Sequence, residues 1–176
     1  MTRENPIFAE TYFRITPTRI HQTLYFYYND PSKNYFHLKN TGASEGELEV
    51  VQTNLQYWID QDDLFVNKEK IRMIIQSSTL EFQKKNPVLP FIIFRILSQT
   101  YKLSIEGLSE IHLYAKPEKL PYPAISCWKT NTGIISSVES NSYSVISQSR
   151  KHLTFYLAEG EIIGGDERIY IDTTLK

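Results

Sequence analysis

At 176 residues and 20.6 kDa, the chain is long enough to bury a core of its own without disulfide or metal staples. Its 41% hydrophobic content and its nearly balanced charge, 19 Lys plus Arg against 20 Asp plus Glu, exclude disordered, collagen-like and coiled-coil classes. The same balance argues against a dedicated duplex nucleic-acid binder, which needs a basic excess to neutralise phosphates, and leaves room only for a local patch.

One cysteine, Cys127, excludes an intrachain disulfide and a thiolate-rich metal site. The first twenty residues lack the continuous apolar stretch of a signal peptide. The longest apolar run, 88–97, is broken by Pro90 and Arg95 and reaches only about half of a bilayer as helix. The expectation is a cytoplasmic protein that does not enter a membrane. Aromatics make up 13% of the chain, with 12 Tyr and 9 Phe, which favours sheet over helix.

Residues 11–16 read as a first strand, limited by Pro17. In 20–28 (IHQTLYFYY) the pattern has period two. Ile20, Leu24, Phe26 and Tyr28 share one face, while His21, Thr23, Tyr25 and Tyr27 share the other. Asn29-Asp30-Pro31-Ser32 is a turn, and Tyr35-Phe36-His37-Leu38 then reads as a returning strand, making 20–38 a hairpin. Ser44-Glu45-Gly46-Glu47 matches a capping box. Leu48, Val51, Leu55, Trp58 and Ile59 follow at helical spacing, predicting a helix over 45–60 with an acidic polar face. Phe65-Val66-Asn67-Lys68-Glu69-Lys70 reads as a short strand running into a turn. The region 67–108 is ambiguous and has room for one or two helices, with 71–82 leaning to strand. The apolar run 91–97 reads as buried on both sides.

From 109 onward the chain reads as a strand series over 111–115, 125–128, 134–138, 143–147, 153–157 and 168–171. Asn131-Thr132-Gly133, Gly160 and Gly164-Gly165 mark the turns. The fold class expected is α+β: mostly antiparallel sheet, with one firm helix. A single globular domain over 1–176 is preferred to two lobes meeting near 86–90.

Local chemical motifs are poor. Asp60, Asp62 and Asp63 stop too soon for a calcium loop, and His21, His37, His112 and His152 lack metal-ligand spacing. Cys127 has no neighbouring base in sequence, and no nucleophile elbow or phosphate-cradling glycine loop occurs. No metal or cofactor is therefore expected. The feature that stands out is aromatic: Tyr25 and Tyr27, with Tyr35, His21 and His37 beside them on the hairpin, form a contact surface unless a second layer such as helix 45–60 covers them. Two functions stay open. One is a non-catalytic binding or assembly module that contacts a protein partner or itself through that hairpin and the acidic helix. The other is a small-molecule-binding β-barrel or sandwich, with enzymatic activity open, whose cavity is lined by Phe and Tyr.

Overall fold

A computed structural model describes residues 5–175. Strands β1 (Phe8–Ile15) and β2 (Ile20–Tyr27) form an antiparallel hairpin, closed where the Thr16 hydroxyl and N–H both bond the Arg19 carbonyl. The hairpin partner of β2 is thus β1 and not 35–38. Residues 35–38 lie in helix α1 (Asn34–Thr41). The reason is Asp30: its side chain is fully buried and accepts the Tyr35 N–H at 2.9 Å, so the turn that ends β2 also satisfies the first turn of a helix.

Helix α2 (Ser44–Ile59) matches the helix expected over 45–60, but not its cap. Ala43 holds the N-cap position, and no side chain caps the helix; Ser44 already has helical geometry. The tight α1–α2 junction at Gly42 (φ 74°) places the chain so that Ala43, and not Ser44, precedes the first turn.

Between 67 and 108 no α-helix forms. The segment supplies β4 (Glu69–Ile71), β5 (Met73–Phe82) and β6 (Pro90–Ser98), with one turn of 3-10 helix at Gln83–Lys85. β4 follows β3 (Asp63–Val66) through a two-residue turn in which Asn67 and Lys68 both take positive φ, the geometry that matches strand twist. The run 91–97 is not buried on both sides. Ile92, Phe94 and Ile96 point inward and are buried, while Phe91, Ile93 and Leu97 are half-buried and Arg95 is exposed.

The remaining strands are β7 (Leu108–Lys119), β8 (Ala124–Thr130), β9 (Ile134–Glu139), β10 (Ser144–Ile146), β11 (His152–Leu157) and β12 (Ile162–Asp172). Gly164 and Gly165 do not turn the chain; they sit at an irregularity within β12, where Gly164 (φ 87°) lies so close to the Lys116 carbonyl that a Cβ would come within 2.9 Å of it. Gly133 (φ 63°) does turn the chain, and a Cβ there would collide with the Asp172 backbone.

Two sheets result. One has seven strands in the order β10-β11-β8-β1-β2-β6-β5, and the other five in the order β4-β3-β7-β12-β9. All pairings are antiparallel except β1 with β8. Both sheets feed one buried cluster that includes Ile15, Ile20, Phe94 and Leu153 from the first and Val66, Ile111, Ile135 and Ile171 from the second. The architecture is the sheet-dominated α+β class that the sequence implied. No helix among the described residues is long and apolar enough to cross a membrane.

Candidate functional site

The outward faces of the two sheets differ in kind. On the five-stranded sheet the outward row is polar and internally paired. His112 stacks on Phe65 at 5.5 Å, its Nε2 lies 2.8 Å from Asp166, and Arg168 reaches both Asp166 (3.0 Å) and Glu110 (3.9 Å). This is an ordinary solvated face.

The seven-stranded sheet is otherwise. The period of two in β1 sends Phe8, Glu10, Tyr12 and Arg14 outward, and register carries that face across the neighbouring strands. At one end Phe8 lies beside Tyr27 and Tyr27 beside Phe91. The next row holds Glu10, Tyr25, Ile93, Ile125 and Tyr156. The rings touch one another: Tyr12 and Tyr25 at 5.9 Å edge to face, Tyr25 and Tyr27 at 6.3 Å, Tyr27 and Phe91 at 5.6 Å. Tyr12 and Tyr156 remain 45% and 48% exposed. Helix α2 does not cover them; it lies along β5 at the sheet's edge. Glu10 is the carboxylate among these rings, taking hydrogen bonds from the hydroxyls of Tyr27 (2.9 Å) and Tyr12 (3.4 Å). Burial, and then that carboxylate, push both phenols above their ordinary range.

The other end of the same face is basic. Arg14 has Lys129 beside it on β8 and His21 beside it on β2, and His152 follows Lys129 on β11. One row further in, Arg95 shares a line with Thr23, Tyr12, Cys127 and Thr154. These residues line a hollow of about 820 Å³. Burial, and then Arg14 and Arg19, lower the pKa of His21.

Of the five residues singled out from sequence, Tyr25, Tyr27 and His21 lie on this face. Tyr35 does not: it is buried, with its ring 5.4 Å from that of Tyr28. His37 does not either, because α1 carries it away on an exposed helical surface beside Phe36. Helix formation at 34–41 separates both from β2. Sequence reasoning missed Phe8, Glu10, Tyr12 and Arg14, although the alternation of FAETYFRI carried the signal. It also missed Arg95, Lys129 and His152, whose convergence depends on strand order.

The inward faces hold a second feature. Phe13 stacks on Trp128 at 3.8 Å, and around that pair two hollows of about 650 and 310 Å³ share Phe13, Asp62, Leu113 and Trp128 as walls. Asp62 is pushed up to about 6 by burial, then by Glu118 and Asp63. Burial also raises Glu167, although the Ser140 hydroxyl donates to it at 3.0 Å. No group of three or more metal-ligating side chains occurs among the described residues. Comparison of the sequence with models of known protein families and with curated proteins finds no match to either.

Proposed function

We propose that the chain is a binding and assembly module whose working surface is the outward face of the seven-stranded sheet, and that its partner there is a second copy of itself. The observation that carries this is the polarity of the face. Its aromatic end holds the carboxylate of Glu10, and its basic end holds Arg14, Arg95 and Lys129. A two-fold rotation about an axis near Tyr12 lays the acidic, aromatic end of one copy on the basic end of the other, and a two-fold pair is the commonest closed assembly. Size agrees as well. Seven strands at their usual spacing and eight residues of strand length give about 29 Å by about 26 Å, a footprint near the roughly 800 Å² per partner of a stable interface. The rings supply rigid contact area at little entropic cost.

Sedimentation tests it. The wild-type chain should be dimeric at tens of micromolar, roughly the range where weak dimers form. Tyr25→Ser with Tyr27→Ser should shift it toward monomer. Arg14→Glu alone should do the same without touching the core, and Glu10→Arg added to Arg14→Glu should restore the dimer. A monomeric wild type, or a dimer indifferent to Arg14→Glu, overturns the reading.

A further inference from the structure

We infer that the hollow at the basic end of this face is an anion site for a ligand bearing two or more phosphate-type charges, held by Arg14, Arg95 and Lys129. It uses the same cations as the self-association proposed above, so a second copy and an anion exclude one another there, and it is tested at a concentration below the range where the pair forms.

The first argument is the cost of the arrangement. Side chains in register on neighbouring strands stand about 5 Å apart, and like charges so placed destabilise a sheet. Here Arg14 and Lys129 are direct neighbours, with an imidazole on either side: His21 next to Arg14 and His152 next to Lys129. A chain with a net charge of −1 has carboxylates to spare, yet none lines the hollow. The side chains of Arg14, Arg95 and Lys129 form no ion pair among the described residues. Four cations are paired among the described residues, Lys39 with Glu81, Lys70 with Asp63, Arg72 with Asp60 and Arg168 with Asp166, and each of these stands beside a carboxylate. What distinguishes the basic row is that its unpaired cations stand in register with one another, and a bound anion removes that cost.

The second argument is shape and ligand chemistry. About 820 Å³ lies within the ordinary range for a small-molecule site, roughly 300–1,000 Å³. Arg14 and Arg95 approach from strands separated by β2, one row apart, so their forks can hold two oxyanion groups, not one. Lys129 adds a third positive charge, and the hydroxyl of Thr23 stands in the adjoining row as a donor. The floor between them carries the exposed ring of Tyr12, a surface on which a planar group attached to the phosphates can lie.

The test titrates inorganic pyrophosphate, and separately adenosine diphosphate, into the whole chain at about 1 µM, followed by tryptophan fluorescence and by melting temperature. Saturable binding with a Kd below about 1 mM at ordinary salt is expected. Arg14→Gln should weaken it at least tenfold, and Arg95→Gln added to it should abolish it. Both are exposed positions, so melting curves should show the fold intact. Equal affinity for the two probes identifies the phosphates alone as the recognised group, and tighter adenosine diphosphate identifies a nucleotide resting on Tyr12. The Tyr25→Ser, Tyr27→Ser variant should still bind pyrophosphate, so loss of self-association and loss of the anion site are separable. No saturable response to either probe at about 5 mM, or an unchanged response in the double arginine variant, overturns the inference.

Discussion

Asp30 sits fully buried at the end of β2, where its carboxylate holds the Tyr35 N–H and its carbonyl takes the N–H of Lys33. Asp30→Ala removes the carboxylate that accepts that buried N–H, which costs about 1–3 kcal/mol; a denaturant melt should show the loss, with α1 fraying first in hydrogen exchange. Asp62 makes a prediction of opposite sign. Its pKa rises from the ordinary carboxylate range to about 6 on folding, so the folded chain holds that proton more tightly than the unfolded one. The favourable contribution is complete below about pH 4 and disappears as pH rises through 6. Asp62→Asn should therefore raise the melting temperature at pH 7.5 by no more than a few degrees, because Asp62 is an exposed residue and water screens it, and leave it unchanged at pH 3. Equal shifts at both pH values would contradict this account of Asp62.

The elements carry their own devices. β5 is an edge strand, and an open edge invites pairing with another chain. Here the two helices block it: the Gln56 amide donates to the Met73 carbonyl at 3.0 Å and accepts the Ile75 N–H at 2.9 Å, while the Lys39 ammonium reaches the Leu80 carbonyl at 2.8 Å. Gln56→Ala strips two of these bonds and should destabilise by about 1–3 kcal/mol, with increased aggregation on heating. Ser44→Ala should by contrast stay within about 0.5 kcal/mol, since Ser44 caps nothing in this fold. A measured loss above 1 kcal/mol would place the helix start at Ser44 after all. The sequence showed the existence and length of this helix through its apolar spacing. It did not show the cap, because which residue precedes the first turn depends on how α1 ends at Gly42.

At the scale of the whole molecule, alternation within single strands was legible and adjacency between strands was not. The two faces of 20–28 were readable residue by residue, and Tyr25 and Tyr27 do point away from the core. Tyr35-Phe36-His37-Leu38 misled because its residues suit a strand, whereas a buried carboxylate five positions before Tyr35 makes it helical. The basic end was invisible for a different reason: Arg14, Arg95, Lys129 and His152 come from four strands, and only the register of β1 against β8 and β2 against β6 unites them.

The one parallel seam also governs the order in which this protein can form. Ala9 pairs with Ala124, 115 positions further on, so the central strand of the larger sheet keeps one flank bare until three-quarters of the chain exists. During synthesis at about 5–20 residues per second that flank stays open for several seconds after β1 emerges. It is bordered meanwhile by Phe8, Tyr12 and Phe13, residues that readily recruit stray strands. Loop closure of that length slows the last step, so refolding from denaturant should run on the millisecond-to-second scale of non-local sheets, and its yield should fall with protein concentration. A nascent chain of this kind is the form of the protein on which a chaperone would act.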